Sequence, residues 1–196
     1  MRIIAGEWRG RRLPTVVERI RPTPERAREA LFSILYSQGL PFFESRWLDL
    51  FAGTGAVGLE AISRGAREVV FVDASRRALE GIERFLARAR ARERGTVLPL
   101  QLPRGLATLR ERYRETPFDV VFADPPFDER SLIEELLWEP ALERLLRPEG
   151  WLILEHERRA TPPETPAHWE LVDERRYGRV GFWFYRPRPV TETVLA

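Results

Sequence analysis

Two short stretches carry side chains suited to chemistry on a planar, polar ring. Asp124-Pro125-Pro126-Phe127 directly follows the apolar run FDVVFA. Successive prolines lack a backbone N–H and hold φ at about −65°, so the turn is stiff and its carbonyl oxygens can be left facing a cleft. Asp124 adds a carboxylate acceptor, and Phe127 adds a flat face on which a base can stack. Together they suit an sp² amine, with two acceptors for its N–H groups and an aromatic surface under its ring. The second stretch is Asp49-Leu50-Phe51-Ala52-Gly53-Thr54-Gly55-Ala56-Val57-Gly58. Gly53, Gly55 and Gly58 satisfy G-x-G-x-x-G, the pattern that lets a ligand approach the backbone where a helix begins.

Two acids refine the glycine pattern. Asp73 lies 20 residues after Gly53, at the end of the next apolar run, where it can accept hydrogen bonds from ribose hydroxyls. The glycines and Asp73 alone suit a dinucleotide or another adenosine cofactor. Asp49 discriminates between them. A carboxylate four positions before the first glycine is unwelcome beside a pyrophosphate and welcome beside an ammonium and a sulfonium. This favours S-adenosylmethionine over a nicotinamide dinucleotide.

Composition removes other chemistries. The chain has 196 residues and no cysteine, which excludes disulfides, thiolate metal sites, iron–sulfur clusters and cysteine nucleophiles. All basic residues are arginine, so a Schiff-base or P-loop lysine is absent as well. With only His156 and His168, no metal site is expected. Net charge is +2, unevenly spread. Residues 1–28 hold eight arginines against Glu7, Glu18 and Glu25, a surplus of five that leaves the remainder mildly acidic. A basic arm on an acidic body fits a nucleic-acid partner. No signal peptide or membrane span is read, so a cytoplasmic protein is expected.

The elements that must position these residues follow from periodicity. RIIAG and RRLPTVV, around Gly6 and Gly10, read as a β-hairpin, making 1–22 a small N-terminal extension and 23–196 the main domain. Thr23 reads as the N-cap of a helix with Pro24 at its first position, running to Tyr36. Strands are expected at 46–51, 68–73, 96–102, 118–123 and 150–157. Helices fall between them: one stopping at Gly65, one to about Arg94, one over 105–115, and two at 129–137 and 140–146. HWELVDERR and RVGFWFYRP, joined at Tyr177-Gly178, close the chain as an antiparallel hairpin. The expected fold is α/β: a doubly wound, Rossmann-like sheet of seven mostly parallel strands with an antiparallel C-terminal hairpin. Arg84, Arg88 and Arg92, with Glu80, Glu83 and Glu93 nearby, read as a solvated, ion-paired helix face. Glu155 and His156, at the end of the fifth strand, read first as structural, with a role in the cleft as the alternative.

Asp49–Gly58, Asp73 and Asp124–Phe127 resemble the cofactor and (D/N)PP(F/Y/W) motifs of class I amino-methyltransferases. The DPPF motif is shared with DNA adenine and cytosine enzymes and with other RNA enzymes. Arg2-Ile3-Ile4-x-Gly6-x-Trp8-Arg9-Gly10 and Arg21-Pro22-Thr23-x-x-Arg26-x-Arg28-Glu29-x-Leu31-Phe32 narrow the match. With them the chain resembles, over nearly its whole length, the RsmD family of bacterial small-subunit rRNA guanine-N2 methyltransferases. It departs from the usual pattern after the third strand, where Leu102-Pro103-Arg104-Gly105 stands in place of the Asp or Asn that binds the adenine amine in many relatives.

The resemblance implies methyl transfer from S-adenosylmethionine to the exocyclic amine of a guanine in 16S rRNA. It implies Asp124, Pro125 and Phe127 as the catalytic set. The cofactor set is Asp49, Phe51, Gly53, Thr54, Gly55, Asp73 and Ala74, with adenine left to backbone near Leu102 or to Arg104. Arg9, Arg11, Arg12, Arg21 and Arg26 are the candidate RNA phosphate contacts, and Thr23 is placed near the cofactor or target base. The expected partner is rRNA within an assembled or assembling small subunit, and the expected state is a monomer. The competing readings are a DNA or other RNA amino-methyltransferase acting on adenine N6 or cytosine N4, a nicotinamide-dependent oxidoreductase, and a catalytically silent RNA-binding protein. A chain of 196 residues leaves little room for a large DNA target-recognition domain.

Overall fold

A computed structural model describes residues 1–15, 23–126 and 130–188. The elements run α1 (Glu25–Ser37), β1 (Arg46–Leu50), α2 (Ala56–Ser63), β2 (Glu68–Asp73), α3 (Arg76–Ala89), β3 (Gly95–Pro99), α4 (Leu106–Tyr113), β4 (Phe118–Ala123), α5 (Arg130–Trp138), α6 (Pro140–Glu143), β5 (Leu146–Glu157), β6 (Trp169–Tyr177) and β7 (Val180–Pro187). Seven strands form one sheet in the order β3-β2-β1-β4-β5-β7-β6. Pairings from β3 through β5 are parallel, and those among β5, β7 and β6 are antiparallel. The order reverses between β1 and β4, where the crossovers diverge and open a crevice at the strands' C-terminal ends. No described helix is long and apolar enough to cross a membrane.

Central strands are buried on both faces, so they read as apolar runs rather than alternations. Trp47, Phe71, Phe122 and Ile153 face one core, shared with Leu31, Phe32 and Leu35 of α1 and Leu79, Ile82 and Leu86 of α3. Leu48, Leu50, Val121 and Leu154 face the other, with Leu106 and Leu109 of α4 and Leu136 and Leu142 beyond. Side chains alternate along a strand. Asp49 therefore lies on the Trp47 face, and Glu155 lies on the Ile153 face. Both acids point to the side that carries α1.

Several boundaries differ from the sequence reading. The hairpin expected over 1–22 reduces, among its described residues, to a single antiparallel bridge between Arg2 and Arg12. Ile3, Trp8 and Leu13 instead sink into the core beside α1. Thr23 is not the cap of α1: Pro24 occupies that position, with no side-chain cap hydrogen bond. β1 stops at Leu50 because Phe51 turns to φ 57°. α3 ends at Ala89, and a 3₁₀ turn covers Arg92–Arg94. β3 ends at Pro99, which cannot donate to a ladder. β5 begins earlier, at Leu146, which pairs with Phe118 across an irregularity in register. The final turn is Gly178-Arg179, since Tyr177 already pairs with Val180.

Candidate active site

The crevice is built where β1, β4 and β5 end. Asp124 follows β4, and its N–H donates to Leu50 O at 3.3 Å, which ties the Asp124-Pro125-Pro126 turn to the end of β1. Ala123 pairs with Leu154, so Asp124 and Glu155 follow in register on neighbouring strands. Thr23, Asp49, Phe51, Gly53, Thr54 and Asp124 line one cleft. Its cavity volume is about 20 Å³, room for one water.

The glycine turn is held from both sides. Gly53 N–H donates to Asp73 Oδ2 at 2.8 Å, and Ser75 N–H donates to Asp73 Oδ1 at 2.7 Å. Asp73 is half-buried, which leaves lone pairs on its outer side for hydroxyl donors. Gly55 caps the start of α2 at φ 70°, and its carbonyl accepts the N–H of Leu59. Asp49 Oδ2 accepts the Gly58 N–H at 3.0 Å, so the strand acid also caps the first turn of α2. A Cβ at Gly58 would lie 2.3 Å from Phe71 and 2.9 Å from Asp49 Oδ2, so only glycine lets helix and strand come this close. Phe51 adds a non-glycine residue in the left-handed region along the cleft, a conformation that costs about 1–3 kcal/mol and gathers at functional sites.

Electrostatically the crevice is a pocket of poorly neutralised acids. Burial pushes the Asp49 carboxyl well above the usual carboxylate range, and Asp124 and Asp73 add to the rise. Burial likewise raises Asp124 to about 7. Its carboxylate has no hydrogen-bond partner among the described residues. Glu155, only 1% exposed, is raised well above its ordinary value, first by burial and then by Asp124. Its Oε2 accepts the Thr23 hydroxyl at 2.6 Å. Such a site favours positive charge, because a cation beside these carboxyls offsets the burial that raises them. No cluster of three or more metal-ligating side chains occurs among the described residues.

The structure thus brings together Asp124, Pro125, Asp49, Phe51, Gly53, Thr54, Gly55, Asp73 and Thr23. Ala74 is exposed just beyond Asp73. Leu102 and Arg104 lie past the end of β3 on the turn before α4, Leu102 buried in the second core and Arg104 exposed, and neither lines the cleft. Arg9, Arg11, Arg12 and Arg26 are exposed and form no ion pair among the described residues. Phe127 and Arg21 lie outside the described residues. In the acidic and basic face of α3, only Arg84 and Glu80 form an ion pair among the described residues, at 3.4 Å. His156 is structural: its ring stacks on Trp183 with centroids 3.8 Å apart. Glu155 stands in the acidic crevice beside Asp124, the position of the cleft alternative. The available signal was an acid on the strand expected beside Asp124, but strand order had to be known to use it.

The family model described as "Conserved hypothetical protein 95" matches residues 1–186. The chain is 34% identical to Ribosomal RNA small subunit methyltransferase D of Haemophilus influenzae, over 95% of this chain and 93% of that one. It is 35% identical to the protein of the same name from Escherichia coli K12, over 95% and 89%. Among solved structures, Escherichia coli yhhF superposes with a TM-score of 0.80 at 35% identity, covering 96% of this chain and 98% of that one. A hypothetical protein of Thermus thermophilus gives 0.73 at 31% identity, covering 94% and 98%. By these matches, spanning both the basic arm and the crevice, the chain belongs to the RsmD family.

Proposed function

We propose that the chain transfers the methyl group of S-adenosylmethionine to the exocyclic N2 amine of a guanine in 16S ribosomal RNA. One observation carries this reading: the Asp124 carboxylate stands at the crevice without a partner among the described residues, on a proline-stiffened turn beside the glycine loop. An acceptor so placed can take a donor from a bound ring. The names of the relatives, which are those of rRNA methyltransferases, support the same assignment.

The residues present suit the cofactor. Asp73 would take the ribose hydroxyls, the Gly53–Gly55 turn would let the nucleoside lie close to the backbone, and Asp49 would face the ammonium. The bound cofactor supplies an electrophilic methyl group on a sulfonium sulfur. The chain supplies aim and acceptance. The guanine N2 lone pair is delocalised into the ring, so the amine is a weak nucleophile. Asp124 and the Pro125 carbonyl would accept its two N–H groups and orient the lone pair. As positive charge grows on nitrogen, those acceptors stabilise it, and Asp124 takes the released proton. The base must be unpaired or flipped out, and Phe127 is the stacking face in this reading.

Residues 1–22 are the extension and 23–196 the methyltransferase domain. Arg9, Arg11, Arg12, Arg21 and Arg26 contact phosphates, and the substrate is RNA within a small ribosomal subunit in the cytoplasm, met by a monomer. Mass mapping of methylated guanines in 16S rRNA, with and without the protein, tests the reading. One guanine should gain a single N2-methyl group. Methylation found only on adenine or cytosine, or only on DNA, would overturn it.

A further inference from the structure

Thr23 and Glu155 form a link that the transfer chemistry does not itself use. They are 132 residues apart, 3% and 1% exposed, and joined by a 2.6 Å hydrogen bond. A threonine two residues before a helix ordinarily turns its oxygen toward the helix's own free N–H groups. Here it donates across the crevice, and the first turn of α1 has no side-chain cap. The acceptor is an expensive choice for a purely structural tie. Glu155 is a carboxyl group buried beside Asp124 and Asp49, with Arg28 the one cation among the described groups acting on it. Arg28 is already committed, with Nη2 donating to Arg2 O at 2.5 Å and Nε lying 3.7 Å from Glu60. A buried acid set among acids breaks a local rule, and such breaches gather where function demands them.

We propose that Glu155 is a positioning residue for methyl transfer: by holding Thr23 it fixes the start of α1 against the rim that carries Asp124, and so sets where the target base can sit. This rests on the reading of the crevice as a methyl-transfer site. Thr23 lines the same cleft as Asp49 and Asp124, so a shift of α1 changes the wall the base meets. Burial raises the Glu155 carboxyl, and glutamine keeps the shape of the side chain with an acceptor oxygen for the Thr23 hydroxyl. Thr23 also adjoins, in sequence, residues 16–22 of the basic arm.

The test compares Thr23→Val, Thr23→Ser, Glu155→Ala, Glu155→Gln and the double variant Thr23→Val/Glu155→Ala, with small ribosomal subunits as substrate. Thr23→Val and Glu155→Ala should each lower kcat by about 10- to 100-fold, the cost of a small misplacement. S-adenosylmethionine affinity, by calorimetry, should stay within about twofold of wild type. Thr23→Ser and Glu155→Gln should recover kcat to within about threefold, and the double variant should be no slower than the slower single, as expected of one coupled pair. A second readout does not need activity. The Arg28 N–H closes the first turn of α1 on Pro24 O at 2.9 Å. Its hydrogen exchange should quicken in Thr23→Val and stay unchanged in Thr23→Ser. Wild-type kcat in Thr23→Val, multiplicative losses in the double variant, or unaltered exchange would each overturn the link. Should Glu155→Ala not fold, the two Thr23 variants and Glu155→Gln decide. A wild-type protein that methylates no rRNA would instead overturn the function proposed above, and the exchange experiment would still read the link.

Discussion

Two groups of buried charge lie on the same side of the sheet, and they are built in opposite ways. At the junction of α1, α2 and the N-terminal segment, Glu60 is wholly buried and fully occupied. It accepts from Ile4 N–H at 2.8 Å, Ala5 N–H at 3.0 Å and Arg64 Nε at 2.8 Å, with Arg28 Nε 3.7 Å away. Beside it, Ser63 Oγ accepts from Trp8 N–H at 2.9 Å and donates to Ala5 O at 2.6 Å. The fit is close: a Cβ on Gly6, at φ 80°, would fall 1.8 Å from Ser63 O. At the crevice, by contrast, the Asp49 and Glu155 carboxyls each accept one hydrogen bond from the described residues, and the Asp124 carboxyl accepts none. A matched buried charge holds a chain in place. An unmatched one costs stability and stands ready for a ligand's donors. Arg28 shows how far the distinction reaches: counted within the basic arm by sequence, it is wholly buried and belongs to the matched group.

The contrast makes opposite demands on mutation. The largest effect is expected at Asp124. Asp124→Ala should lower methyl transfer by about a thousandfold, with cofactor affinity nearly unchanged and the melting temperature no lower than wild type. Because the group is raised to about 7, transfer by the wild type should fall as pH drops below that value and the carboxylate is protonated. The sign for stability is the reverse. The stabilising share of a raised carboxyl is present below its ordinary range near pH 4 and is lost as pH rises through about 7. Asp124→Asn should therefore gain on wild type in thermal melts between those limits. A rate loss under tenfold, or no pH-dependent gain, would break the contrast. Next, Glu60→Ala should cost about 3–5 kcal/mol in urea unfolding, because it strands Arg28. A loss under about 1 kcal/mol would show the matched cluster to be ornamental. Smallest is the exposed class. Reversing Arg9, Arg11 and Arg12 together should leave folding intact and reduce the salt slope of RNA binding by about 2–3, from three phosphate contacts. An unchanged slope would remove the arm from the interface.

Much of this was legible in the residues. EVVFVD and FDVVFA form strands with the expected bounds because each is a short run whose apolar residues are all buried between helices. The glycine turn, Asp73 and the Asp124-Pro125-Pro126 turn could be placed because local pattern and strand-end position carry their meaning. The bond between Thr23 and Glu155 could not. It joins the start of the first helix to the fifth strand, and nothing in either neighbourhood announces the other. RIIAGEW was legible as a motif but does not form the expected strand, since its apolar residues serve the core beside α1 rather than a partner strand. Phe51 offered no signal of its backbone either, because its left-handed conformation follows from the turn between β1 and α2 rather than from its own preference.

The sheet's two outer strands carry a consequence for how the protein behaves in a crowded cell. A sheet edge is a row of unpaired backbone groups, a template for another chain. On one side β3 is five residues long and ends in Pro99, which has no N–H to offer. On the other, β6 slips register between Leu171 and Asp173, and the bulge falls where Leu171 and Val172 are exposed. Past the bulge, Asp173 pairs with Arg175 at 3.0 Å and Glu174 with Arg176 at 2.8 Å along the strand itself. Any strand docking there would have to bury those ions and bend to match the bulge. Both rims thus carry devices that blunt strand-by-strand growth beside a sheet rich in buried aromatic residues.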